Sequence, residues 1–592
     1  MRNFFASLFG ALIGIFLAFF LVVIIIIGMV TNAVNSIKQE KPVMVSPSSV
    51  LEIKLNHIIR ERTFARPFHF RLTGEDEKVF TETVGLNDIL VDIDHASRDK
   101  SIKGIFLNLS DIPAGTATVE SIRTALEKFK SSGKFIMAYA TTYTQKAYYL
   151  ASVADKVYLY PSEGEILWKG LSAQIMFFKN ALDKLGIKVQ VFRHGRYKSF
   201  VEPYVLDKMS PDNRLQTKMF LSSIWNDMLA DISASRHISV RSLNEMADSM
   251  TIRSAKDAAK YMFVDSLLYA DEVLGKLREK LGLSANASIS FIGLDDYRET
   301  FDMPSGHPSK IAVIYAAGDI VEGYGDDESV GSSRTSLAIR EARLDDDIKA
   351  IVFRVNSPGG GALASEVIWR EVELAKKVKP VIVSMGDYGA SGGYEISCAA
   401  TEIVAEPTTI TGSIGVFGLL PDARGLLNDK LGITIDTVST NTHAAAGSLF
   451  YPLNSSEAMV LQSTIEEIYH QFISRVAEGR KLTLAQVDSL GQGRVWTGRQ
   501  ALKIGLVDTL GDINLALKIA AQKAHIKSYS IVEMPSLFNP LHKLLSRFGA
   551  ADAENRILQE ELGSIYEPVQ EISKLLKTKD IQARIPYNYI IE

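Results

Sequence analysis

Three stretches of this chain recur further along it at one constant offset. SRDKSIKGIFLNLS (Ser97 to Ser110) lies over RLDDDIKAIVFRVN (Arg343 to Asn356) at an offset of 246 positions, where Ile102, Lys103 and Ile105 meet Ile348, Lys349 and Ile351. The same offset sets FIMAYATTYTQKAYYLASVADKVYLYP (Phe135 to Pro161) over VIVSMGDYGASGGYEISCAATEIVAEP (Val381 to Pro407), and GIKVQVF (Gly186 to Phe192) over GITIDTV (Gly432 to Val438). One register held across three segments marks a tandem duplication, which confines the chain to two homologous domains on one plan.

Within each copy, short apolar runs alternate with helical ones. GIFLNLS, FIMAYA and KVYLYP in the first copy correspond to AIVFRVN, VIVSMG and EIVAEP in the second. Between them lie VESIRTALEKFKSSG and SEVIWREVELAKKVK, apolar at intervals of three and four. The alternation predicts an α/β class of parallel βαβ units, with functional groups at the C-terminal ends of strands. We expect a first repeat over 48–303 and a second over 304–546, joined at PSGHP (Pro304 to Pro308). The charged tail, 547–592, is expected to be helical and to serve packing or assembly.

Ahead of the repeats, no residue from Asn3 to Ile37 is charged, and Phe4 to Val30 is almost wholly apolar. A bilayer span needs ~20 such residues, whereas a cleavable signal peptide has an apolar region of only ~7–15 ending at a small-x-small site. TNAVNS is a poor match to such a site, so the reading is an uncleaved transmembrane anchor at 1–31, followed by a linker at 32–47. With Arg2 before the span and Lys38 and Lys41 after it, the positive-inside rule is nearly silent on orientation. A net charge of −4 over 592 residues, with no basic stripe, gives no reason to expect nucleic acid. The single cysteine, Cys398, excludes an internal disulfide and a cysteine-built zinc cluster, and reads as a small core residue.

The copies differ where chemistry would sit. GDYGASGGYEISCAA (Gly386 to Ala400) sets Ser391 among glycines and an alanine, while Gln145 holds the equivalent place in the first copy. Conversely, RHGRYKSFVEP (Arg193 to Pro203) lies over STNTHAAAGSL, so that Lys198 falls on Ala444. One copy has the serine without the lysine, the other the lysine without the serine. A serine hydroxyl needs a base, and a lysine kept neutral by burial can be one. The other reading is G-x-S-x-G with a downstream histidine, for which His443 in a loop is the candidate among His443, His470, His525 and His542. RVNSPGGG (Arg354 to Gly361) offers closely spaced backbone amides for an oxyanion, and Ser391-Gly-Gly opens a helix whose first amides favour negative charge.

RVNSPGGG, GASGGY, TGSIGV (Thr411 to Val416) and YKSFVEP together resemble the signal peptide peptidase A (protease IV) family in its long, duplicated form. The resemblance covers nearly the whole chain. It implies two Clp-protease/crotonase-like domains whose Ser/Lys dyad is split between them. Ser391 matches the nucleophile, Lys198 the base and Ser413 the serine that orients the lysine amine. The oxyanion donors match backbone amides at Gly359, Gly360 or Gly392. No metal and no cofactor are implied. The family sits in the bacterial cytoplasmic membrane with its catalytic part on the periplasmic side, forms a homotetramer in the long form, and degrades cleaved signal peptides and other apolar peptides. Phe200 departs from the lysine motif, where alanine is common. Two other functions of the same fold compete: a non-catalytic membrane scaffold and an acyl-CoA-type enzyme.

Overall fold

The computed structural model describes residues 44–64, 84–301, 306–538 and 581–585, with isolated positions in the two terminal segments. Apart from such positions, the expected anchor at 1–31 lies outside the described residues. Among those that are described, no helix is long and apolar enough to cross a membrane.

Each repeat is built on its own parallel sheet. In the first, the spatial order is Ser266–Leu267, Lys156–Leu159, Phe135–Ala140, Ile102–Asn108, Ser49–Ile53 and Phe291–Gly293. In the second the same six positions are held by Thr509–Leu510, Glu402–Ala405, Val381–Ala390, Ile348–Ser357, Lys310–Ala317 and Ser530–Met534. Two further strands are added there: Ile410–Gly412 beside the end of Val381–Ala390, and Val495–Thr497 antiparallel to Ile410–Gly412. The helices Leu86–Arg98 and Thr116–Lys130 recur as Ser332–Leu344 and Ala362–Lys376, with every boundary at the offset read from the sequence. Central strands such as FIMAYA are buried at every residue, as expected when helices cover both faces of a parallel sheet. One apolar core takes in the first repeat and continues onto one face of the second sheet, with Ile311, Val313 and Val352, while a second core lies on that sheet's other face, with Ile314, Ile351 and Phe353.

The repeats are joined by buried polar contacts rather than by apolar packing alone. Helix Thr116–Lys130 starts at Gly115, which has no side chain to cap it. Asp387 of the second repeat does so instead, accepting from Thr118 N–H at 3.0 Å and Thr118 Oγ1 at 2.7 Å. One turn on, Glu120 accepts from the backbone and hydroxyl of Thr408, and Ser121 donates to Glu406. Arg354 and Asn356 both donate to Glu61, at 2.6 Å each.

A third sheet crosses the junction, in the order Ser329–Gly331, Asp319–Val321, Gly359–Gly361, Gln582–Arg584, Phe417–Asp422 and Lys188–Arg193. Six residues of Lys188–Arg193 pair antiparallel with Phe417–Asp422, so the first repeat delivers a strand into the second. The symmetry breaks here: Gly432 to Val438, the sequence match of Gly186 to Phe192, forms no strand and is an exposed connection. The tail, expected to be helical, is helical at its isolated described positions Tyr566, Val569, Gln570 and Ser573 and contributes the strand Gln582–Arg584, while most of its remainder lies outside the described residues.

Candidate active site

Ser391 stands between the strand Val381–Ala390 and the short helix Gly392–Glu395, with φ 56° and ψ −117°. A side-chain-bearing residue at that φ is strained, and such strain persists only where the surroundings hold it. Here Ser391 N–H donates to Gly412 O at 2.7 Å, and the glycines on its far side let the chain turn. Gly393 is packed so closely against Ser357 that an added Cβ would meet the Ser357 carbonyl oxygen at 2.5 Å.

Lys198 arrives from the other repeat, on the segment that follows Lys188–Arg193. Its Nζ lies 2.6 Å from Ser391 Oγ, 3.0 Å from Ser413 O and 3.1 Å from Ser413 Oγ. The side chain is fully buried, and burial alone holds its amine well below the ordinary lysine pKa. No carboxylate lies within ion-pair distance of it among the described residues. Loss of its proton leaves a lone pair directed at the serine hydroxyl. Ser413 is itself at φ 51°, with its N–H donating to Arg494 O at 2.7 Å.

Of the glycines named from sequence, Gly359 (φ +104°) donates its N–H to Ser357 Oγ at 3.2 Å. Gly360 pairs with Ala583 of the tail strand. Gly392 opens a helix, where the first amides have no intrahelical acceptor. A Cβ on Gly359 would collide with the Ala583 carbonyl oxygen, and one on Gly392 would approach it to 3.0 Å. The three glycines and this carbonyl therefore share one small space.

The histidine alternative does not assemble. His443 is exposed and engages Glu457 at 2.8 Å, whereas the hydroxyl of Ser391 meets Lys198 and, at 3.5 Å, the Gly415 carbonyl. His470 lies exposed on the helix Ser455–Arg480, and His542 lies outside the described residues. Cys398 is buried, its thiol pKa pushed up by burial and its S–H donating to Glu395 O at 3.1 Å.

Several residues that hold the site were not singled out from the sequence, although one of them, Glu202, stands within YKSFVEP. Gly493 (φ +77°) lies so close to Lys198 that a Cβ there would come within 2.5 Å of its backbone nitrogen. Gln216 donates to Tyr197 O and Ser199 Oγ and accepts from Val495 N–H, tying the lysine segment to the second repeat. Buried Glu202 accepts from Asn213 and Ser210 beneath them. The duplication could not find these, because each works through residues brought near by folding.

The model of the family described as "Peptidase family S49" matches residues 128–284 and again 373–527, once in each repeat. The chain is 39% identical over 455 residues to Protease 4 of Salmonella typhi, covering 75% of this chain and 73% of that one. To Protease 4 of Haemophilus influenzae it is 37% identical over 462 residues, covering 75% and 74%. To the chloroplastic serine protease SPPA of Arabidopsis thaliana it is 33% identical over 497 residues, covering 80% and 72%.

Proposed function

The chain belongs to peptidase family S49 and is a serine peptidase, and from that premise we propose that Ser391 is its nucleophile and Lys198 its general base. The observation that carries this is the 2.6 Å approach of a fully buried lysine amine, with no acid beside it, to a strained serine. Neutral Lys198 takes the hydroxyl proton as Ser391 Oγ attacks a peptide carbonyl carbon. The oxyanion forms against the amides of Gly360 and Gly392, since that of Gly359 is occupied by Ser357. The lysine ammonium then gives its proton to the leaving nitrogen as the C–N bond breaks. Water returns a proton to Lys198 while attacking the ester, and Ser391 leaves with its hydroxyl restored. Ser413, holding Nζ through both its oxygens, fixes the amine's direction.

The proposed substrates are cleaved signal peptides and other apolar peptides. An apolar cavity of about 550 Å³ opens beside Phe417–Asp422, lined by Leu419, Leu420, Leu453, Val460 and Leu461, but neither Ser391 nor Lys198 lines it. The proposal extends to the two Clp-protease/crotonase-like domains at 48–303 and 304–546. It extends also to the anchor at 1–31 and to placement in the bacterial cytoplasmic membrane with the catalytic part on the periplasmic side. A homotetramer is proposed too, and the duplication supports assembly. At the offset of the repeat, Phe417–Asp422 corresponds to 171–176 and Lys188–Arg193 to 434–439. Neither counterpart forms a strand, and Val438 is 98% exposed. The pairing made within the chain thus has an open copy at each end, which a second chain can fill head to tail.

Release of fragments from a synthetic signal peptide tests the reading. Cleavage is expected with the full chain and is lost in Ser391→Ala; cleavage by Ser391→Ala at the wild-type rate would overturn it.

A further inference from the structure

The strand Gln582–Arg584 fills a gap in the third sheet. It pairs antiparallel with Gly359–Gly361 on one side, in the register Arg584 to Gly359, Ala583 to Gly360 and Gln582 to Gly361. Ala362 N–H donates to Ile581 O at 3.1 Å and Ile585 N–H to Pro358 O at 2.9 Å, so the pairing continues past the strand's ends. On the other side Gln582 pairs with Phe417. Without this strand, two sheet edges would face each other beside Ser391. That is the arrangement in which an extended peptide binds by strand addition, with main-chain bonds for affinity and side-chain pockets for choice.

The tail lies there in a particular register. The Ala583 carbonyl oxygen sits against Gly359 and Gly392, and Ala583 pairs with Gly360, so it lies among the glycines beside the serine. A substrate in this register would place its acyl residue at the position of Ala583 and its leaving-side residue at that of Arg584. The Ala583 side chain is fully buried, which leaves room for a small residue. Arg584 meets a built environment: Nη2 lies 2.9 Å from Asp319 Oδ1, and Cζ lies 5.9 Å from the centre of the Phe200 ring. Phe200 is held in turn by stacking on Phe417 at 4.8 Å. It comes from the opposite repeat to Asp319.

We infer that Asp319 and Phe200 form a cation subsite that selects a basic residue immediately after the cleaved bond, with the chain's own tail as its resident occupant. The inference rests on the Ser391/Lys198 peptidase reading and adds to it the peptide's register and a preference. A carboxylate and an aromatic face on one guanidinium act together, yet Asp319 is 44% exposed, so the discrimination is moderate.

The test uses the full chain and three internally quenched peptides, Ile-Gln-Ala-X-Ile-Pro, with X arginine, alanine or glutamate. The expected order of kcat/KM is arginine, alanine, glutamate, with about tenfold between the extremes. Mass spectrometry should place the cut between Ala and X. Asp319→Lys should reverse the order, and Phe200→Ala should narrow the advantage of arginine over alanine. The tail competes equally in every arm and leaves the ranking intact. An unchanged ranking in Asp319→Lys, or a cut elsewhere, overturns the subsite while leaving the peptidase reading in place. So does wild-type protein that cuts a synthetic signal peptide but none of the three. Wild-type protein that cuts neither kind of peptide overturns the peptidase reading and the subsite with it.

Discussion

Phe135–Ala140 and Val381–Ala390 occupy the same place in two copies of one sheet, begin alike and end differently. The first stops at Ala140 and enters the helix Gln145–Ala151 through Thr144, an ordinary cap at φ −64° whose hydroxyl accepts from Ala147 N–H. The second runs four residues longer and turns at Ser391 in a conformation a side chain resists. Where the serine was replaced, the strain went with it. Gln145 instead uses its amide structurally, accepting from the N–H groups of Lys169 and Gly170 and donating to Gly170 O. Lys198 and Ala444 show the reverse asymmetry, one fully buried and one exposed. Each repeat thus holds the costly residue of one half-site and a relaxed counterpart of the other, so that on the proposed dyad the reaction depends on their docking.

The sharpest way to break this comparison is to remove the base alone. Lys198→Met keeps the volume of the side chain and removes its charge and lone pair. Peptide cleavage should fall by about 10³-fold or more, with the thermal midpoint unchanged or higher, since a buried amine is no longer desolvated. In wild-type protein, activity should rise with pH as Lys198 loses its proton, with the midpoint well below the ordinary lysine value of 10.5. The sign follows from the lowered pKa: on the proposed mechanism the neutral amine is the base, and it is lost as pH falls through that pKa. A pH profile that falls across this range would count against the lysine.

Next in size is the fit between the half-sites. Gly493→Ala places a methyl group against Lys198 at a backbone φ of +77°, so both the lysine's position and the turn are disturbed. Activity should drop by about 10- to 100-fold, because a small misplacement of a catalytic group is costly. Stability should fall by about 1–3 kcal/mol, read by denaturant unfolding. Activity near the wild-type level would mean that the close approach is incidental.

What the sequence disclosed follows the same division. Ser391 and Lys198 were legible because the duplication supplied a control for each, a glutamine and an alanine at the matched positions. The boundaries of the helices Leu86–Arg98 and Thr116–Lys130 obeyed the offset, because there the two copies share one local pattern. Gly493, Gln216 and the cross-repeat cap by Asp387 were not legible, since each acts on a segment remote in sequence. The symmetry failed at Gly432 to Val438 because a strand needs a neighbour, and the matching edge is not offered within the chain. The tail's three-residue strand is too short for any period, and its pairing partners are glycines far upstream.

The junction itself gives a smaller, pH-dependent effect. Glu406 is buried where Ser121 of the first repeat meets the second, and burial pushes its pKa up to about 8. Its buried neighbour Glu120 is raised as well, chiefly by burial and then by Glu406. The folded protein holds a proton that the unfolded chain releases above its ordinary 4.5. Stability is therefore greatest in mild acid and declines as pH rises from 4.5 through about 8. Glu406→Gln should flatten this decline. Thermal midpoints at mildly acidic and mildly alkaline pH decide this; an equal slope in the variant would assign the dependence to other groups.

The smallest expected effect on catalysis tests whether the serine is what the first repeat lacks. Gln145→Ser restores a hydroxyl at the position matched to Ser391, but in a helix with a relaxed cap, while the residue matched to Lys198 is the exposed Ala444, which can be no base. It also abandons the amide groups of Lys169 and Gly170 that Gln145 satisfies, which should cost about 1–3 kcal/mol of stability. Activity per folded molecule should stay within about twofold of wild type, because neither the hydroxyl's direction nor its base has been supplied. The decisive background is Ser391→Ala: in the double variant no cleavage should return. If it did, a serine alone would suffice to restore a site in the first repeat, and the dependence of the reaction on two docked repeats would fall.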